Sequence, residues 1–266
     1  MSALSPARRI SDVSAKPVQW LWPRRFALGK LSLICGDPGV GKSFLTCYVS
    51  ACVSRGLALP DGGKAPCGSV VLLSAEDGLE DTIRPRLDAA HADTDKIVAL
   101  SSVHNLRRDV PVVEQAVGSL GDCKLVVIDP ISAYMNGVDS HKNAEVRSVL
   151  APLSAMAERN GVAVVIVQHL NKNESLSDVH RVSGSVAFAA AARNVWQVAK
   201  HGEQRVMRSL KDNVGASDLE LAYRITGGRV VWERSQADTT TLAKQALRVE
   251  GYTDEEIEMI FGRGTE

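Results

Sequence analysis

Gly36-Asp37-Pro38-Gly39-Val40-Gly41-Lys42-Ser43 is the stretch on which the fold of this chain turns. It meets the phosphate-loop pattern G-x-x-x-x-G-K-[ST] at every fixed position. The six residues before it, Lys30-Leu31-Ser32-Leu33-Ile34-Cys35, read as a buried strand, and residues 43–54 read as a helix. Polyphosphate is a dense anion, so a site for it needs several donors with no side chains in the way. Glycines at 36, 39 and 41 let backbone N–H groups point at the phosphates, and the start of the following helix adds its positive dipole end. Lys42 is expected to reach the β- and γ-phosphates, and the Ser43 hydroxyl to hold Mg²⁺. Phe44 extends this nucleotide-binding set into the helix. A glycine-rich turn arising by chance has no reason to bring strand, full pattern and helix in this order.

Working outward, 266 residues suit one large α/β domain with small appendages. Hydrophobic residues at 45% and charged residues at 23% are ordinary for a soluble globular chain. Lys+Arg and Asp+Glu both total 31, so no global field draws in nucleic acid or an anionic membrane, and any DNA contact must be local. The five cysteines (35, 47, 52, 67 and 123) form no C-x-x-C pair, lie mostly in apolar runs and imply a reducing cytoplasm. No segment is long and apolar enough for a membrane span or a signal peptide.

Short runs rich in Val, Ile and Leu at 69–75, 124–129 and 161–167 alternate with amphipathic stretches at 78–91, 111–119 and 143–160. Near-continuous apolar runs are strands covered on both faces, hence a mainly parallel sheet with helices on both sides. Beyond residue 193 the texture changes to short strands at 194–199, 205–211, 219–225 and 229–233, an antiparallel extension of the sheet edge. The expected organisation is an N-terminal strap over 1–25, an ATPase domain over 26–234 and a helical tail over 235–266. In the strap, Trp20 and Trp22 sit between Pro17 and Pro23, and their indoles are expected to pack on the core rather than stack on a nucleotide. In the tail, Thr253 caps a helix with Glu256 three residues on.

Asp129 ends the strongest apolar run, where an aspartate orders water on Mg²⁺. Many ring ATPases carry their water-activating glutamate directly after this residue, but Pro130 stands there, so the base must come from elsewhere. Glu76, in Ser74-Ala75-Glu76-Asp77, ends the strand at 69–75, and in a parallel sheet strand C-termini lie on the ligand side. The alternative is that Glu76-Asp77 merely caps the helix that follows. Gln168-His169 ends a third such run, where a polar residue can contact the γ-phosphate and report hydrolysis to the next loop; a histidine there could also be a satisfied core residue.

This ordered set resembles the RecA-like ATPases, a group that includes DnaB-type helicases and KaiC. Within that group it is similar to the RepA-like hexameric helicase ATPases of plasmids and phages. Beyond the motifs above, Trp20 to Pro23, Arg84-Pro85-Arg86-Leu87, His169 to Lys172, Ser183-Gly184-Ser185, Ala189 to Arg193 and Lys211-Asp212-Asn213 carry the resemblance, which covers about residues 17–233. It implies an ATP- and Mg²⁺-dependent homo-oligomer, a hexameric ring with nucleotide between neighbours. It further implies Arg193 as an arginine finger acting in trans and Lys211 as a second trans-acting cation, unless either is a surface charge. The polar loops at 135–142 and 171–184 would face the ring channel. In them Lys172, His180 and Arg181, with His141 and Lys142, would contact single-stranded DNA through its phosphates, unless they are simply solvated. With no aromatic in the second loop, backbone tracking is expected rather than base stacking. The expectation is a replicative DNA helicase or translocase served by a primase or loader in trans. The alternatives are a RecA/KaiC-type regulatory or recombination ATPase and a non-catalytic assembly module.

Overall fold

A computed structural model describes residues 9–140, 142–170, 186–213 and 220–233, together with positions 253, 255, 256 and 259. Along the chain run β1 (Trp20–Trp22), β2 (Phe26–Ala27), β3 (Leu31–Gly36), α1 (Lys42–Arg55) and β4 (Ser69–Ser74). A π-helical turn, Leu79–Ile83, leads into α2 (Arg84–Ala89), followed by β5 (Ile97–Ala99), α3 (Leu106–Leu120), β6 (Cys123–Asp129) and α4 (Asn143–Asn160). After β7 (Ala163–His169) come α5 (Val186–Ala191), β8 (Asn194–His201), β9 (Gln204–Asp212), β10 (Leu221–Thr226) and β11 (Arg229–Glu233).

Nine strands form one sheet in the order β11-β10-β9-β8-β3-β7-β6-β4-β5. The six from β8 to β5 are parallel, and β9, β10 and β11 continue antiparallel from β8. The expected architecture, a mainly parallel sheet with an antiparallel C-terminal extension, is the observed one. Alternation along the strands sends Val164 and Ile166 of β7 into a core shared with α3, α4 and α5. Ala163 and Val165 go to the opposite core, beneath α1 and α2. Both faces are covered, which is why these strands lack a polar side.

Three elements differ from the sequence reading. The segment read as one helix over 78–91 splits, with Ile83 N–H bonding back to Gly78 O across five residues (2.9 Å) before α2 begins. Pro85 lies in the first turn of α2, where its missing N–H costs nothing. The helix read from Pro111 starts at Leu106, because Asn105 caps it by accepting from Arg107 N–H, leaving Pro111 inside. The short edge strand β5 carries too little pattern to be read at all. The expected boundary between residues 25 and 26 falls inside the β1–β2 hairpin, whose Trp22 and Phe26 pack edge to face at 5.6 Å. Trp22 is fully buried and also meets Trp232 of β11 at 5.6 Å. The strap and the extension therefore clasp one another over α1. Where the tail is described, Thr253 and Glu256 form the expected capping box: Thr253 N–H and Oγ1 each bond Glu256 Oε2 at 2.8 Å. No helix among the described residues is long and apolar enough to cross a membrane.

Candidate nucleotide-binding and hydrolytic site

In a parallel sheet all strands end on one side, and here register makes those ends coincide. Gly36 of β3 pairs with His169 of β7, and Ser74 of β4 pairs with Asp129 of β6. The loops leaving these strands enclose an open cleft of about 290 Å³. Pro38, Gly39, Gly41, Lys42, Ser43 and Phe44 line it from the phosphate loop, facing Glu76, Asp77, Arg86, Asp129 and His169. Of the sequence-expected cis residues, Lys42, Ser43, Glu76, Asp129 and His169 converge.

The loop's glycines answer to geometry. Gly41 has φ +99°, and a Cβ there would stand 2.6 Å from Ile225 Cδ1 of β10. At Gly36 a Cβ would collide with the Val198 carbonyl oxygen of β8. The antiparallel extension thus lies directly against the phosphate loop, and Tyr223 Oη reaches Gly41 O at 3.5 Å.

Lys42 is 4% exposed, and its ammonium donates to Gly36 O and Asp37 O at 2.8 Å each and to His169 Nδ1 at 3.3 Å. Burial lowers its pKa, against the pull of Asp129 and other nearby anions. An ammonium only donates, so His169 Nδ1 accepts and the ring proton sits on Nε2, 3.8 Å from Glu76 Oε2. Burial, then the Lys42 charge, depresses the His169 pKa, so the imidazole is neutral at physiological pH. Lys42, His169 and Glu76 form a short polar chain across the cleft.

Asp129 is desolvated enough to lift its carboxyl to about 6, although hydrogen bonds from Ser43 and Thr46 and the Lys42 charge pull the other way. Thr46 Oγ1 donates to Asp129 Oδ2 at 3.3 Å. A half-buried carboxylate beside a hydroxyl is a hard-oxygen donor set that suits Mg²⁺. Among the described residues no group of three or more His, Cys, Asp or Glu could cage a metal. Mg²⁺ in nucleotide sites takes one or two protein oxygens and leaves the rest to phosphate and water. Ser43 and Asp129 would hold it.

The two acidic residues after β4 part company. Asp77 Oδ2 accepts from Arg86 Nη1 at 2.6 Å, while the Glu76 side chain is 61% exposed, with His169 as its ionic neighbour. Arg86, which the sequence reading placed only within a shared motif, also lies over the Phe44 ring, 4.4 Å from its centroid. No local pattern could have flagged this contact, because it joins α2, the loop after β4 and the first turn of α1.

Other expected residues stand elsewhere. Gln168 is buried on the α4 and α5 face of the sheet and does not line the cleft; its Oε1 has no hydrogen-bond partner among the described residues. Arg193 is exposed at the start of β8, its backbone N–H bonded to Leu31 O at the opposite end of the sheet. Lys211 donates to Ala189 O (2.7 Å) and Ala192 O (2.9 Å), closing the C-terminal end of α5. Lys142 pairs with Glu145 at 3.2 Å. Lys172, His180, Arg181 and His141 lie outside the described residues.

Known proteins resemble this chain to different extents. The model of AAA_25, an AAA domain, matches residues 2–175. The DNA repair protein RadA of Halalkalibacterium halodurans is 28% identical over 213 residues, covering 78% of this chain and 41% of the relative. RadA of Bacillus subtilis is 26% identical over 193 residues, covering 71% and 38%. The chain spans less than half the length of these curated relatives. The crystal structure of the RadB recombinase superposes with a TM-score of 0.59 at 17% identity, covering 77% of this chain and 91% of that one, a likeness of fold.

Proposed function

The chain belongs to the AAA_25 family of AAA domains and has a RecA-like ATPase core, and from that premise we propose that it hydrolyses ATP with Mg²⁺ as a homo-oligomer acting on DNA in recombination or repair. The convergence of Lys42, Glu76, Asp129 and His169 on one cleft carries the hydrolytic part. The nucleic-acid part rests on the RadA relatives, which are named for DNA repair, and this favours the recombination alternative over the replicative helicase expected from motifs. A primase or loader in trans belongs to the helicase reading alone.

In this reading Lys42 leaves its carbonyl partners for the β- and γ-phosphates, and Ser43 with Asp129 would hold Mg²⁺, which would supply positive charge to the phosphates. Glu76 takes a proton from the attacking water. Neutral His169, bridging Lys42 and Glu76, passes the loss of the γ-phosphate to the chain beyond Leu170. Lys172, His180 and Arg181 follow in sequence and are the proposed contacts to single-stranded DNA. Arg193 completes a neighbour's site in a ring of six.

ATP turnover measured with and without single-stranded DNA, beside strand-pairing and duplex-unwinding assays, tests the reading. Stimulated turnover with pairing and without unwinding is expected. Vigorous unwinding would restore the helicase, and binding without turnover would leave an assembly module.

A further inference from the structure

A general base works only within hydrogen-bond reach of the proton it takes. Glu76 is 61% exposed, sits on an irregular loop and, among the described residues, has His169 as its ionic neighbour at 3.8 Å. Left to itself such a side chain would sample many positions. What holds its loop is therefore a question for the reaction.

Two of the restraints are weak. Ala75 N–H reaches Asp129 O at 3.4 Å, and Ser74 Oγ reaches Asp77 O at 3.5 Å. The strong one is the charge-assisted bond from Arg86 Nη1 to Asp77 Oδ2 at 2.6 Å, one residue from Glu76. Arg86 is itself fixed. It sits on α2 beside buried Leu87, and its guanidinium covers the ring of Phe44, the residue after Ser43. One side chain thus ties the Glu76 loop to the first turn of the phosphate-loop helix. Its bond also occupies Asp77, so that Glu76 is the carboxylate of the pair left to the water.

We infer that Arg86 is a positioning residue for hydrolysis: through Asp77 and Phe44 it fixes Glu76 relative to the phosphate loop. The inference rests on the ATPase reading above. It also predicts that lysine is a poor substitute, since an ammonium can pair with Asp77 but has no planar face to lay on Phe44.

The test is a double-mutant cycle in single-turnover ATP hydrolysis, with ADP·Mg²⁺ affinity measured alongside. Arg86→Ala should slow hydrolysis about 10- to 100-fold, the scale of a misplaced catalytic group, while ADP affinity stays nearly unchanged, because a residue that acts only on the chemical step contributes nothing to ground-state binding. Arg86→Lys should recover only part of the rate, and it serves as the folded reference if the alanine variant melts early. In a Glu76→Gln background the loss of Arg86 should cost almost nothing more, because a residue that acts through Glu76 has nothing left to position. An equal loss in both backgrounds would overturn the inference, as would weakened ADP binding at an unchanged rate, which would make Arg86 a nucleotide contact. A wild-type chain that does not hydrolyse ATP would instead overturn the ATPase reading beneath it, whereas a fully active Glu76→Gln chain would remove Glu76 as the base and overturn the inference with it. An active wild type with an unimpaired Arg86→Ala variant would overturn this inference alone.

Discussion

The two ends of the parallel sheet carry different chemistry although the same strands supply both. At the C-terminal end Gly36 stands in register with His169 and Ser74 with Asp129, and these strand ends with the loops leaving them place Lys42, Glu76, Asp129 and His169 around one cleft. At the other end Arg193 is exposed and tied by its backbone to Leu31. From Leu31 to Gly36 the strand rises roughly 16 Å at about 3.3 Å per residue, more than an arginine side chain spans. The cleft can be assembled within one chain, whereas Arg193 can act on phosphate only in another copy. One end of the sheet holds the candidate site, and under the proposed function the other would supply half of a neighbour's.

The sharpest way to break this comparison is at Lys42, which belongs wholly to the first end. Lys42→Ala should abolish ATP turnover in every subunit that carries it, with little change in the circular dichroism of the fold. Normal turnover would remove the phosphate loop from the reaction. Arg193 comes next. Arg193→Ala should cost about three to five orders of magnitude in turnover, the usual contribution of an arginine finger. Mixing it with Lys42→Ala subunits should return part of the activity, because some interfaces then pair an intact loop with an intact finger. If mixed oligomers form and nothing returns, the two ends do not cooperate across subunits.

Much of the first end was legible in the residues because it is local. A strand, eight loop residues and a helix are contiguous, and the acidic and polar residues ending 69–75, 124–129 and 161–167 need only the rule that parallel strands end together. What escaped is long-range. The clasp of Trp22 on Trp232 and the reach of Arg86 to Phe44 join segments whose approach no periodicity announces. The start of α3 escaped for a local reason: Pro111 resembles a first-turn proline, and the weaker signal of Asn105 as cap prevails. Gln168 and His169, adjacent in sequence, were read together, yet alternation along a strand puts them on opposite faces.

Glu76 offers a graded test inside the first end. Glu76→Gln should lower turnover by about two to four orders of magnitude, the contribution of general base catalysis, while ATP binding persists. Asp77→Asn should do less harm, since Asp77 is bound to Arg86 and works on position rather than protons. A reversed order, with Asp77→Asn the more damaged, would make Asp77 the base and Arg86 the partner that tunes it.

The smallest expected effect asks whether Lys211 belongs with Arg193. Motif resemblance pairs the two, and they lie close enough for the charge of Arg193, after burial, to depress the Lys211 pKa. Lys211 nonetheless has work within its own chain, holding the carbonyls of Ala189 and Ala192 at the end of a six-residue helix. A cation at a helix C-terminus contributes about 0.3–1 kcal/mol, and its hydrogen bonds to backbone oxygen place the loss at the upper end of that range. Lys211→Met, which keeps the apolar stem, should therefore lower the melting temperature by roughly 2–4 °C in a chain of this size and reduce turnover only modestly. In the mixing experiment Lys211→Met subunits should then behave like wild type. Loss of turnover by orders of magnitude at an unchanged melting temperature would reverse this, placing Lys211 beside Arg193 as a second group that reaches a neighbour's nucleotide.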